Sequence, residues 1–534
     1  MRARNHRRFR VVAAGCLLSL MAGCATNVRI LDKNDVNSRA TADYERLFAD
    51  APATGALITL SEAIARAVKY NLDNRLKMME SVVAQQRLDL QDYQKLPQLA
   101  AKAGYTVRNN RHASSSLNLT SQVPNFGAST SQDKGVIDAQ LQASWDTLDF
   151  GIAYLNAKQA GNDTLVAVER QRKMQHNIVR DVRYAYWRMV SANRLEDSLK
   201  GLQVEIRQGL NDSYAAQKAK LKPLEECLEY QRALLDLQRQ VLFLQRDMAD
   251  ARVELTALMG LAPGTIFKLE SDSEFRTPFQ SNAALDVTQL QQLALRNRPE
   301  LLEEDYKKRS ALIEVRKARL RMIPGVELFT NYNFNDNSFL LNETWANAGY
   351  RVSWNLLNLI SGPAAIRHAK SSVELVDIRR MALSVAVLTQ VDVAMHQLNQ
   401  SEQDFGIAAE LYRVDEGMFQ QYVKRMQASQ IDQLTMLQAK ARRIVSALRY
   451  SMSYAEWQHS VGQLYTSVGY QPATMLDYNL PLSDLTNEVE QYLQIPAFSL
   501  EQGFYSKGTA VQNHRVSRNY KKRDSNDLRL SDIQ

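Results

Sequence analysis

The chain carries two copies of one unit, each running as a helix, a pair of alternating strands, a very long helix and a return helix. A shift of 227 places Ala67 on Ala294, Pro97 on Pro324 and Tyr105 on Tyr332. Past a loop that is shorter in the second copy, a shift of 209 places Trp145 on Trp354, Val182 on Val391 and Gly260 on Gly469. Repetition at this scale constrains architecture before any local propensity is weighed. Each unit supplies only two strands, and four strands per chain cannot close a barrel.

The strands announce themselves by a change of period from 3.6 to 2. They are predicted near residues 100–109, 135–145, 326–334 and 348–354. Ile137, Ala139, Leu141, Ala143 and Trp145 alternate with Asp138, Gln140, Gln142 and Ser144. In the second copy Ala348, Tyr350, Val352 and Trp354 alternate with Gly349, Arg351, Ser353 and Asn355. Strands of about ten residues, apolar on one face and polar on the other, suit a wall between lipid and a watery lumen. A polar Ser/Asn-rich loop joins the first pair.

Between Pro124 and Pro223, and again between Pro363 and Pro472, there is no proline. Helical pattern fills about 153–220 and 364–426, with return helices over about 224–258 and 431–465. A front helix from Leu60, with Ser61 as cap, runs to Pro97. Front and return helices together nearly match the long helix, so two short helices stacked end to end fit beside one long one. Helices this long and polar need lateral partners.

The N-terminal 23 residues read as a signal peptide. Arg2, Arg4, Arg7, Arg8 and Arg10 precede an apolar stretch, then Ala22-Gly23-Cys24. Small residues before Cys24 resemble a lipobox, which would make Cys24 the lipid attachment; Ala25 after it favours the outer membrane. Residues 24–59 read as anchor and linker, 60–264 as the first repeat and 287–471 as the second. Connectors occupy 265–286 and 472–502, and a basic, disordered tail 503–534. No uninterrupted run of 18 apolar residues occurs.

The formal charge of +8 lies mostly at the ends: the leader holds five Arg and no acid, and the tail is net basic. The body is near neutral, unlike a nucleic-acid binder. Outside the leader and its Cys24, Cys227 is the one thiol. No phosphate-cradling Gly loop, metal-ligand pattern or nucleophile elbow appears, so no cofactor, metal or catalytic role is assigned. Glu225-Glu226 and Glu303-Glu304 read as solvated helix faces. Tyr184, Tyr186 and Trp187 read as packing residues.

A membrane sheet cannot leave its edges unpaired, because each unmet backbone group costs several kcal/mol in hydrocarbon. Other copies must complete it. Two chains would give eight strands and a lumen filled by side chains; three give twelve and a conduit.

The double plan resembles the TolC-type outer-membrane efflux factor family, in its lipoprotein branch. The residues carrying the likeness are Leu60-Ser61-Glu62-Ala63, Arg298-Pro299-Glu300-Leu301, Pro97 and Pro324, Trp145 and Trp354, Leu258-Met259-Gly260 and Val468-Gly469. The resemblance covers about residues 60–470. It implies a mainly α fold with a small membrane β-barrel part: a homotrimer whose 12-stranded β-barrel continues into a periplasmic α-helical barrel. It also implies a periplasmic adaptor and an inner-membrane pump of RND or ABC type, with the chain serving as exit duct for small molecules. The alternatives are a type I protein secretion component and a non-conducting structural helical protein. In the family the helix turns dock on the adaptor and tighten to close the pore. That likeness makes Lys220, Leu221, Lys222, Gln430 and Ile431 the docking contacts. It makes Asp432 the pore-constricting acid, or simply the cap of the following helix, with Thr435 where the family has a second acid.

Overall fold

The structure, a computed structural model, describes residues 30–48, 57–120, 122–270, 286–470 and 479–494. The signal peptide, Cys24 and the basic tail lie outside the described residues, as does most of the 265–286 connector. The chain divides into two units, residues 1–53 and 54–534.

The first unit holds helix α1 (Lys33–Leu47), within the stretch read as anchor and linker. Asp32 and Asp35 form a capping box at its start, and none of its residues is buried. With no buried stripe there is no apolar period to read. That is why the sequence showed no helix here.

In the second unit the front helix is two helices, α2 (Leu60–Tyr70) and α3 (Leu72–Tyr93). Next come β1 (Gln98–Val107), β2 (Ala113–Leu117), β3 (Pro124–Thr130) and β4 (Gly135–Asp146). They lead into α4 (Thr147–Lys218) and its return helix α5 (Leu224–Leu258). The second copy gives α6 (Val287–Asn297), α7 (Pro299–Leu320), β5 (Gly325–Asn335), β6 (Thr344–Ser353), α8 (Leu357–Gln427) and α9 (Gln433–Val468). Helix α10 (Leu482–Gln494) follows and packs on α2. The loop expected between the first two strands contains a small hairpin of its own, β2 with β3.

The duplication extends to backbone angles. The front helices break at Asn71 (φ −61, ψ 125) and at its counterpart Arg298 (φ −62, ψ 124). Asn71 caps α3 through its side chain, whereas at Arg298 the following Pro299 gives up an N–H that no helix partner would take. Gly260 and Gly469 end the return helices in the left-handed region, at φ 69 and 68. Each lies against the break of its own repeat. A Cβ on Gly260 would meet Tyr70 backbone at 2.9 Å, and one on Gly469 would meet Asn297 carbonyl carbon at 2.8 Å.

At 72 and 71 residues, α4 and α8 each extend about 105 Å. α3 and α5 both flank α4, while α7 and α9 both lie between α4 and α8. The end-to-end stacking expected from the lengths is therefore present. Lower down, Leu202, Ile206, Leu234, Val241, Leu437 and Ile444 close a core between α4, α5 and α9. Rings of Tyr186, Trp187 and Tyr454 pack edge to face, and the Tyr186 hydroxyl donates to the Ile58 carbonyl. Glu303 and Glu304 are not the solvated pair expected. Glu304 is buried beside Lys307 of its own helix, and Glu303 pairs with Lys307 one turn on and with Arg170 across the α4–α7 contact.

α8 begins at Leu357, ahead of its expected start, and carries Pro363 inside. One stretch of α8 has a mean hydropathy of 1.2, long and apolar enough to cross a membrane by composition. In the fold this helix is tied laterally: Gln291 donates to Asp392, and Arg298 to Gln390.

Candidate functional site

Four strands form one antiparallel sheet in the order β1-β4-β5-β6, so the two repeats join through β4 and β5. Residues directly opposite in antiparallel strands share a face. The register lines up Ala101, Leu141, Tyr332 and Ala346 in one row, and Trp145, Leu328 and Tyr350 in another. The intervening rows are polar apart from Ala100, Phe329 and Trp345: Lys102, Gln140 and Asn333; Gln142, Asn331 and Asn347; Glu327 and Arg351. Every alternation read in the sequence thus falls on a single face.

The exposure of the two faces is the reverse of a water-soluble sheet. On the central strands the apolar face is the open one, with Leu141 48% and Tyr332 57% exposed. Asn331, on the polar face, is only 9% exposed. Burying apolar side chains drives folding in water, so a sheet that shows them outward is not arranged to face water on that side. The outer strands β1 and β6 each pair on one side only.

The second element of the site is the pair of turns where the long helices end. Both close alike. Lys220 (φ 53) and Ser429 (φ 56) take the left-handed conformation that a helix C-terminus favours, without being glycine. Leu221 N–H donates to Ala216 carbonyl, and Gln430 N–H to Arg425 carbonyl. The next helices then start at caps Pro223 and Asp432, again one shift of 209 apart. Lys220, Leu221, Lys222 and Gln430 are exposed and Ile431 is half-buried.

Asp432 occupies the N-cap with extended backbone (φ −85, ψ 166). Its carboxylate accepts from the hydroxyl of Thr435, the residue standing where the resemblance implies a second acid, so the two side chains are joined. That bond holds the carboxyl below the usual range against partial burial, with backbone N–H groups of Leu434 and Thr435 adding to it. The N–H groups stop short of a well-formed capping bond. The Lys222 ammonium is held by Glu226 and raised chiefly by that bond, with Asp432 contributing from the other turn. Tyr230 is raised first by burial and then by the Asp432 charge. The structure therefore brings Lys222 and Asp432 into one electrostatic group and adds Tyr230, which sequence reasoning missed. Its signal was available: Tyr230 lies two turns into the helix that Pro223 starts, on the way back past the second turn.

No protein-family model matches the chain, and no curated protein matches its sequence. Solved structures do. The outer-membrane channel OprN aligns with a TM-score of 0.59 over 79% of this chain and 95% of its own, at 16% identity. The CmeC outer membrane channel of Campylobacter jejuni gives 0.61 over 83% and 90%, at 12% identity. The MtrE outer membrane channel of Neisseria gonorrhoeae, in its open state, gives 0.59 over 77% and 88%, at 15% identity. This is the TolC-type channel fold. Within the TolC-type fold the sheet with its outward apolar face stands at one end of the long helices. The paired turns, with Lys222 and Asp432, stand at the other.

Proposed function

We propose that the chain forms an outer-membrane exit duct, one third of a closed ring. The observation that carries this reading is the inverted sheet with two unpaired edges. In hydrocarbon such edges must be met, and three copies pairing β6 of one with β1 of the next would give a closed wall. The helices point the same way. On the α8 flank, Ile407, Leu411, Val414 and Met418 are exposed at the spacing of a coiled-coil seam. On the opposite flank, Leu72, Leu76, Met79 and Val83 of α3 and Leu228, Leu235 and Leu242 of α5 repeat it. Each flank offers what the other needs.

In this reading Cys24 carries the lipid that holds the N-terminus in the outer membrane, and the helical part extends into the periplasm. A periplasmic adaptor docks at Lys220, Leu221, Lys222, Gln430 and Ile431. An inner-membrane pump, proton-driven or ATP-driven, supplies small-molecule cargo. Asp432 with Thr435 forms the constriction, where three carboxylates favour cations. Planar-bilayer recording of the purified assembly tests the reading, with steady single-channel currents expected. A protein that conducts at no voltage, or that is a monomer in detergent by light scattering, would overturn it.

A further inference from the structure

This inference rests on the duct reading and names the class of solute that the polar face of the sheet takes. The register places on that face an unusual density of carboxamides: Gln140, Gln142, Asn331, Asn333, Asn335 and Asn347. Charge there is largely cancelled. Glu327 and Arg351 pair at 3.1 Å, and the same guanidinium lies over the Phe329 ring. Lys102 and Asp138 occupy neighbouring rows.

Two features mark this lining as more than a wet surface. Asn333 Nδ2 donates to Asn347 Oδ1 at 2.8 Å, and beside them Asn331, nine-tenths buried, keeps a side-chain oxygen that no protein donor meets. Trp345 stands opposite Asn333 and breaks the alternation, since the register puts its indole on the polar face, 43% exposed. The sheet's other tryptophan, Trp145, lies on the apolar face as the alternation demands.

A carboxamide offers donors and an acceptor in one plane, which matches adjacent hydroxyls that both give and accept. It offers nothing to a carboxylate or phosphate that water does not. An indole with an open face suits the apolar C–H side of a sugar ring while its N–H stays hydrogen-bonded. We propose that the polar face recognises an uncharged, polyhydroxylated chain, an oligosaccharide, as it passes along the lumen.

The test uses the assembled protein in planar bilayers with maltohexaose as probe and a polyethylene glycol of equal size as comparison. Maltohexaose is expected to give transient current blocks whose frequency rises with concentration, and the glycol, poor in hydroxyls, none. Trp345→Ala should weaken the block about tenfold, the loss of one specific contact, and Trp345→Phe should restore most of it. Asn331→Leu should weaken it independently. Equal block by both solutes would mean that size alone is sensed and would overturn the proposal. So would steady conduction with no block by maltohexaose, a result that leaves the duct standing. Absence of conductance removes the duct and this proposal with it.

Discussion

Gly469 is the point where the end of the second repeat is clamped against its own front helices, and Gly469→Ala measures that clamp. Three terms set the size of the effect. A left-handed residue with a Cβ costs about 1.5 kcal/mol. The alanine gains back about 0.7 kcal/mol by stiffening the unfolded chain. The new methyl must also fit where Asn297 and Arg298 backbone atoms stand 2.8–2.9 Å away, and backbone cannot swing aside as a flexible side chain can. Overpacking of that kind costs about 2 kcal/mol. The sum is about 3 kcal/mol of destabilisation. Gly264 separates the terms, because its φ is 86 but nothing lies within 4 Å of a Cβ there. Gly264→Ala should therefore cost about 1 kcal/mol, the strain without the collision. Urea unfolding of the detergent-solubilised proteins, followed by helical circular dichroism, gives both values under one condition. Gly260→Ala, facing Tyr70 at 2.9 Å, should follow Gly469→Ala. If Gly469→Ala is no worse than Gly264→Ala, the close approach is not a constraint and the clamp argument fails.

Other expectations concern charge and reactivity. Asp432→Ala should enlarge single-channel conductance or weaken cation preference in bilayer recordings; if both stay unchanged, Asp432 is a cap and not a constriction. Burial raises the Glu169 pKa, opposed by Arg172 and assisted by Glu300 and Glu303. A raised carboxyl contributes stability below its unfolded pKa of about 4.3 and loses it as pH rises through the folded value. Glu169→Gln should thus stabilise the protein relative to the parent at pH 8 and not at pH 4, and melting curves showing an equal difference at both would contradict the sign. Cys227 is 2% exposed, so its thiol should react with an aromatic disulfide reagent only after denaturation; prompt reaction of the folded protein would show that α5 opens there.

The parts of the fold legible in the sequence were those in which burial imposes a period. Strand alternation located β4 and β5 within a residue or two, because Leu141 and Tyr332 must share a face with their row partners. Helix lengths disclosed the stacked arrangement, since α3 and α5 have to cover α4. What escaped had no period to show. Helix α1 buries nothing, and the break at Asn71 interrupts a pattern that runs on apolar through Val68 and Leu72. Glu303 and Glu304 looked solvated because the pairing with Lys307 one turn on fits a wet helix face equally well, and their burial, with Arg170 on Glu303, comes only from packing of α4 on α7. The left-handed Lys220 and Ser429 were hidden for the opposite reason: neither is glycine, so the usual marker was missing.

The two turns show how a duplicated backbone acquires a single-purpose site. Lys220 and Ser429 share one conformation, and Pro223 and Asp432 hold the same cap position one shift apart. Geometry is thus kept while chemistry diverges. Proline fixes its turn by ring closure and offers no charge; aspartate fixes the other by side-chain bonding and leaves a carboxylate below its ordinary pKa. A ring of three chains would then alternate six similar turns, three rigid and neutral at the cap and three acidic, with Lys222 of each first turn set against Asp432 of its second. Lys222→Ala removes that neighbouring positive charge without touching the Asp432 cap. It should increase cation preference in the recordings where Asp432→Ala decreases it, and a change of the same sign in both variants would show that the two residues do not act through one field.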